Sequence, residues 1–146
     1  MLKPCGLDTN ETRYYIGAQK DEVIVMRGSP LKYEAELVRG NIDCLLLFLI
    51  KEEEHTYGYQ LIKEVKRRSE GYFQFKEGTV YPALHRLENE GLIQGEWAKL
   101  PNGQGRRYYC ITEKGMEVLR ERMTAWQGFT VAMNLIFKPT EAKVAI

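Results

Sequence analysis

The fold of this chain is decided by the stretch Glu77-Gly-Thr-Val-Tyr-Pro-Ala-Leu-His-Arg-Leu-Glu-Asn-Glu-Gly91. Its apolar residues recur at i, i+4 and i+7, which is the spacing of one buried helix face: Val80, Leu84 and Leu87. The closing glycine is typical of the position just past a helix C-terminus, so we predict a helix over 77–90. Pro82 is expected in its first turn, where the missing N–H of proline costs nothing.

Two further helices are predicted before this stretch. Residues 41–50 are apolar on nearly every side, as in a buried central helix. Thr56 is a favourable N-cap residue, so we predict a second helix over Tyr57–Ser69. The segment Phe73–Phe75 alternates like a short extended piece.

A hairpin and a long helix are predicted after it. Two β-like runs, Leu92–Leu100 and Arg106–Ile111, flank an Asn-Gly pair, which is a hairpin signal. Thr112 then opens a helix that reaches about Phe137 and stops at Pro139. Its seam residues step by three and four over three heptads, as in a helix that packs against another helix: Met116, Leu119, Met123, Trp126, Thr130, Met133 and Phe137.

Three helices followed by a two-stranded hairpin is the element order of the winged helix-turn-helix, whose third helix enters the DNA major groove while the hairpin, the wing, lies along the flanking DNA. We therefore predict a mainly α fold with a β-hairpin wing: a winged helix-turn-helix plus a long C-terminal dimerisation helix. In the N-terminal arm, Asp21–Met26 is a candidate strand and Met26 a candidate start site. The predicted boundaries are the arm over 1–38, the winged-helix domain over 39–111, the dimerisation helix over 112–138 and a tail over 139–146.

Three stretches, Thr56–Leu61, Glu77–Ile93 and Gly105–Gly115, resemble the motifs of the PadR family of bacterial transcriptional regulators. The resemblance covers about Val38 to Phe137, and the single last helix resembles the short-tailed subgroup. It implies a homodimeric winged-helix repressor of detoxification, phenolic-stress or multidrug-export genes. A two-fold-symmetric dimer suits a palindromic operator in double-stranded DNA.

The composition is balanced, with 21 Lys and Arg against 20 Asp and Glu and a net charge of +1. Residues 56–111 hold nine basic and six acidic residues, so a small basic excess lies on the predicted reading surface. We therefore expect weak non-specific DNA affinity and reliance on shape and base contacts. Three scattered cysteines predict free thiols.

Other classes of function find no support in the sequence. No apolar run is long enough to span a membrane, and no metal-ligand cluster, nucleophile motif or phosphate loop appears. We predict no enzyme, no cofactor, no metal site and a cytoplasmic location.

Candidate DNA contacts lie on three predicted elements. The exposed side of a recognition helix reaches bases and phosphates, basic residues near it contact phosphates, and a wing arginine can enter a narrow minor groove. Adjacent strand residues point to opposite faces, so only one of the two wing arginines is expected to do so. The candidates are Thr79, Tyr81, Pro82, His85 and Arg86 on the third helix, Lys66 and Arg67 on the second, Lys76 between them, and Lys99, Arg106 and Arg107 on the wing.

Each candidate has a structural alternative. Tyr81 and Pro82 can simply shape the start of the helix, and the basic residues can form a solvated face with internal ion pairs. A winged helix can also serve as a protein-interaction module without DNA, which requires an apolar patch on the third helix. The polar residues offered there favour DNA.

The last helix carries a candidate effector site. Trp126 on the seam fits either packing against a partner or, as the resemblance to drug-binding members implies, a sandwich of a planar aromatic ligand between two subunits. Met116 and Met123 are expected to add adaptable walls. The predicted dimer contacts are Leu119, Trp126, Met133 and Phe137.

Overall fold

The computed structural model of this chain describes residues 11–15, 23–27 and 34–138. The predicted tail over 139–146, with its helix-ending Pro139, lies outside them, as do the arm residues between these segments. Within the arm, two strands pair antiparallel, and the second confirms from Val23 onward the strand predicted there.

The predicted helices, wing strands and last helix are all present, and three short elements are added to them. The added elements are β1, α1 and β3. The full order is β1 (Glu11–Tyr15), β2 (Val23–Arg27), α1 (Glu34–Arg39), α2 (Ile42–Glu53), β3 (Thr56–Tyr57), α3 (Gly58–Arg68), α4 (Glu77–Asn89), β4 (Ile93–Lys99), β5 (Gly105–Ile111) and α5 (Glu113–Phe137).

One core holds the winged-helix domain together. Helix α2 lies at its centre, and α3, α4, the sheet and the first half of α5 surround it, which confirms the predicted central helix. Burial of such apolar side chains is the main favourable term in folding. Core residues that are no more than 1% exposed are Leu46, Leu47, Ile50, Leu61, Val80, Ala83, Leu84, Leu87 and Ile93.

The sheet has three strands in the order β3-β5-β4, one more than the predicted hairpin. Thr56 pairs with Tyr109 and Tyr57 with Tyr108, so both residues extend the wing sheet, and Tyr57 rather than Thr56 stands at the N-cap position of the helix. The prediction that Thr56 is the N-cap of the second helix is therefore wrong. That helix begins at Gly58, and Thr56 is fully buried with a hydroxyl that has no hydrogen-bond partner.

Helix α4 matches its predicted bounds within one residue, but the position of Pro82 was predicted wrongly. The backbone N–H groups of Thr79 and Val80 already donate to the Lys76 carbonyl, so the helix is established before the proline, which lies in its second turn. A proline there leaves the carbonyl of residue i−4, Gly78, without its helical donor. Gly78 and Pro82 are both exposed, so water reaches the Gly78 carbonyl.

The segment Phe73–Phe75, predicted as a short extended piece, belongs to no helix or strand. Phe73 and Phe75 are both half-buried against the core, and the Phe73 N–H donates to the Ser69 hydroxyl at 3.0 Å. The segment is a packed connection between α3 and α4, because two aromatic side chains face the same core.

The N-terminus of α5 docks on the turn between α4 and β4. Thr112 is its N-cap, as predicted, and accepts a hydrogen bond from the Gly115 N–H at 3.0 Å. The Thr112 hydroxyl donates to the Gly91 carbonyl at 2.7 Å and its N–H to the Leu92 carbonyl at 3.1 Å. A Cβ added at Gly115 would lie 2.0 Å from the Leu92 carbonyl oxygen, so only glycine allows this approach.

Helix α5 divides into a packed first half and an exposed second half. Leu119 is 2% exposed within the single chain and belongs to the core, so its prediction as a dimer contact is wrong. The domain is large enough to bury the first heptad of the seam by itself. Met123 packs against the core at its edge, whereas Trp126 and the residues after it are largely exposed.

Replacing Thr56 by valine tests its buried strand position. We expect Thr56→Val to keep or raise the free energy of unfolding, by up to about 1 kcal/mol, because an unsatisfied buried hydroxyl gives way to a methyl group. Thr56→Ser, which keeps the hydroxyl and loses the methyl, is the control and should lose about 1 kcal/mol. Urea denaturation measures both, and a clear loss of stability in the valine variant would contradict this account.

Alanine substitutions at two α5 glycines test the docking of this helix. Gly115→Ala should lower the free energy of unfolding by about 3 kcal/mol or more, because the new methyl meets a backbone carbonyl that cannot move alone. Gly128 has no heavy atom within 4 Å of its added Cβ, so Gly128→Ala should gain about 0.5–1 kcal/mol from helix propensity. Denaturation at one fixed protein concentration checks the pair, and equal effects would refute the steric explanation.

Candidate nucleic-acid interface

Helix α4 presents a continuous exposed face. The predicted contact residues Thr79, Tyr81, Pro82, His85 and Arg86 are all exposed, and the predicted inner residues Val80, Leu84 and Leu87 are buried. With about 100° per residue in an α-helix, the centre of this face opposite the core consists of Gly78, Pro82, His85 and Asn89. The sequence interpretation missed Gly78 and Asn89, although a rotation of about 100° per residue places both on this face.

Arg86 does not extend freely from this face. Its guanidinium group donates to the Asp43 carboxylate on α2, at 2.7 Å to Oδ1. The same carboxylate lies 3.5 Å from the guanidinium group of Arg122 on α5 and is only 17% exposed. The Asp43 carboxylate thus joins α4, α2 and α5, a link across 43 residues that no local pattern signals.

Tyr81 has a clear packing role. Its ring lies over Gly58, the first residue of α3, where an added Cβ would meet ring carbons at 2.8 and 2.9 Å. Gly58 is buried and Tyr81 is 38% exposed. The contact joins α3 and α4 at close range and needs a residue without a side chain at Gly58.

The basic residues of α3 divide into paired and unpaired groups. Arg67 and Arg68 both donate to the Glu64 carboxylate, at 2.9 and 3.0 Å, and Arg68 also pairs with Glu53 at 3.2 Å. Hydrogen bonds from Arg67 and then Arg68 lower the pKa of the Glu64 carboxyl to about 2. The side chains of Lys66 and Lys76 are exposed and form no ion pair within the described part of the chain.

The wing arginines point to opposite sheet faces, as predicted, and both are held by their own domain. Arg107 pairs with Glu88 of α4 and lies under the Trp97 ring, 5.4 Å from its centroid. Arg106 lies 4.0 Å from the centroid of the Tyr57 ring. The exposed cation of the wing that forms no such contact among the described residues is Lys99.

Neither histidine belongs to a metal site in the described segments. His55 stacks on the Tyr108 ring with centroids 4.3 Å apart, and His85 is exposed on α4. Residues 11–15, 23–27 and 34–138 contain no group of three His, Cys, Asp or Glu residues placed to bind a metal ion. None of the helices in these segments has the length and apolar character needed to cross a bilayer.

The second half of α5 carries an exposed apolar face. Trp126 is 51% exposed, Phe129 58%, Ile136 76% and Phe137 65%, and the half-buried Met133 lies between them. The sequence interpretation missed Phe129 and Ile136 because it followed a strict heptad seam. Of the predicted effector walls, Met123 packs against the core and Met116 is half-buried.

Comparison with known proteins agrees with this arrangement. Residues 46–121 match the transcriptional regulator PadR-like family. An uncharacterized protein of Lysinibacillus sphaericus is 32% identical over 107 residues, which is 73% of this chain and 97% of that protein.

Solved structures show the same fold. A transcriptional regulator from Clostridium thermocellum is 28% identical with a TM-score of 0.65, over 70% of this chain and 99% of that one. A PadR family transcriptional regulator from Eggerthella lenta is 30% identical with a TM-score of 0.63, over 73% of this chain and 89% of that one. The family match runs from α2 to the first part of α5, and this chain belongs to the PadR-like family of transcriptional regulators, which bind DNA.

Proposed function

We propose that this protein is a sequence-specific repressor that binds a palindromic operator as a homodimer and leaves it when a planar aromatic effector binds. The exposed face of α4 carries this proposal. It is polar apart from Tyr81 and Pro82, whereas a protein-interaction module requires an apolar patch. A DNA-binding repressor acts where the chromosome is, which supports a cytoplasmic location.

We assign the DNA contacts by whether a side chain is already engaged. Thr79, Pro82, His85 and Asn89 are exposed and form no ion pair with any residue that the structure describes, and we place them in the major groove. Phosphate contacts are assigned to Lys66, Lys76 and Lys99. A second group of candidates already packs or pairs within the domain, and we assign to it a mainly structural role in stabilising the reading surface. This group consists of Tyr81, Arg67, Arg86, Arg106 and Arg107.

The second half of α5 supports the homodimer. An exposed apolar face of this kind has a large cost in water and is typical of an interface. We propose that it pairs with the same face of a second copy about a two-fold axis, with Trp126, Met133 and Phe137 as contacts. Two reading helices placed by such an axis match a palindromic site.

The effector site is proposed at the same interface. Trp126 is half-exposed in the single chain, so two indoles can face each other across the axis and hold a flat aromatic ligand. Met116 is half-buried and Met123 packs at the edge of the core, and we propose that they line the ends of this site.

Loss of one unpaired lysine tests the DNA surface. A duplex is first selected by the protein from a random-sequence library. Lys66→Ala should weaken binding to this duplex and to a random one alike, and should reduce the slope of log affinity against log salt by about one. Lys51→Ala on α2 removes the same charge outside the surface and is the control. Fluorescence anisotropy measures both, and an unchanged salt slope for Lys66→Ala would remove this residue from the interface.

Two α5 residues of equal exposure test the dimer. Phe129 and Val131 are both 58% exposed, but they lie about 160° apart around the helix. Phe129→Glu should shift the protein to a monomer in sedimentation velocity, because a carboxylate is expensive to bury, and Val131→Glu should not.

The same pair tests the shared effector site. In a Trp97→Phe background, proflavine should quench Trp126 fluorescence in the Val131→Glu protein and much less in the Phe129→Glu protein. Equal quenching would contradict a site built by two subunits.

A further inference from the structure

The wing carries an exposed indole that the proposed function leaves unused. Trp97 in β4 is 71% exposed, and most other exposed large apolar side chains lie on the second half of α5. A tryptophan offers about 150–250 Å² of surface for burial, so this indole is a candidate contact residue.

The indole has defined neighbours on its sheet face. In the register of the wing, Trp97 lies opposite Arg107 and on the same sheet face as Gly105. The Cζ atom of the Arg107 guanidinium group is 5.4 Å from the centroid of the ring, and a Cβ added at Gly105 would lie 3.3 Å from the ring. Arg107 also pairs with Glu88 of α4, so its guanidinium group connects the indole to α4.

The surroundings of the indole match the chemistry of the DNA backbone. Lys99 follows on the same face of the strand, is exposed, and forms no ion pair among the described residues. The Trp97 ring N–H, a donor only, also has no acceptor in the part of the chain that the structure describes. A flat apolar surface, one donor and one cation complement deoxyribose and its flanking phosphates.

We propose that Trp97 is a DNA-contacting residue of the wing, packing on deoxyribose beside a phosphate held by Lys99. Arg107 and Glu88 act as positioning residues that fix the indole relative to α4. This inference rests on the proposed function, since it assumes that α4 and the wing bind the same duplex.

Intrinsic fluorescence tests this contact directly, because the chain has only two tryptophans. Trp126→Phe leaves Trp97 as the single indole, and Trp97→Phe leaves Trp126 as the matched control. Each protein is titrated with the duplex selected from the random-sequence library, and acrylamide quenching is measured before and after saturation. We expect the quenching constant of Trp97 to fall severalfold in the complex and that of Trp126 to stay unchanged.

Affinity and its salt dependence give a second readout. Trp97→Ala should weaken duplex binding about tenfold without changing the salt slope, because no phosphate charge pair is lost. Lys99→Ala should reduce the slope by about one. Both side chains are exposed, so folding should be unaffected, and circular dichroism checks this.

Three results would overturn the inference. One is a duplex bound with full affinity while Trp97 stays open to acrylamide. Another is a Trp97 already shielded in the protein without DNA, which would assign it to a contact between copies. Failure to bind any duplex, seen by anisotropy before a quenching experiment is possible, would refute the proposed function and with it this contact.

Discussion

The close approach of α5 to the turn after α4 is the constraint on which the rest of the structure depends. Gly115 lets the helix come within reach of the Leu92 carbonyl, and Thr112 satisfies both that carbonyl and the one before it. Lys114 adds a hydrogen bond to the Glu90 carbonyl at 2.8 Å. The C-terminus of α4 and the N-terminus of α5 therefore form one rigid junction, and the wing strand β4 begins at the same point.

A second connection joins the same two helices. The Asp43 carboxylate accepts Arg86 from α4 and lies beside Arg122 from α5, so the two helices are joined about two turns beyond the junction on the α5 side. If the second halves of two α5 helices form the dimer, the separation of the two α4 helices depends on how the two α5 helices pack against each other. A ligand that changes this packing would then reach α4 through packed helices rather than through a flexible loop.

The sequence predicted those elements whose signals are local and repeated. Helices α4 and α5 were found because their apolar periodicity extends over several turns, and the wing because an Asn-Gly turn separates two runs of strand formers. Strand β3 was missed because it has two residues and exists only through pairing with β5. The ion pairs of Arg86 and Arg107 join residues 43 and 19 positions apart, so free and engaged cations looked the same in the sequence.

The difference between free and paired cations changes how the basic excess of residues 56–111 is interpreted. Arginines 67, 68, 86 and 107 each have a carboxylate partner, and the Arg106 guanidinium lies over a tyrosine ring. Under the proposed function, the cations left for phosphate are mainly Lys66, Lys76 and Lys99. Because each phosphate contact adds to the salt dependence of binding, so few free cations favour an interface in which shape, apolar contact and base edges dominate. An exposed indole on the wing fits that balance better than another arginine would.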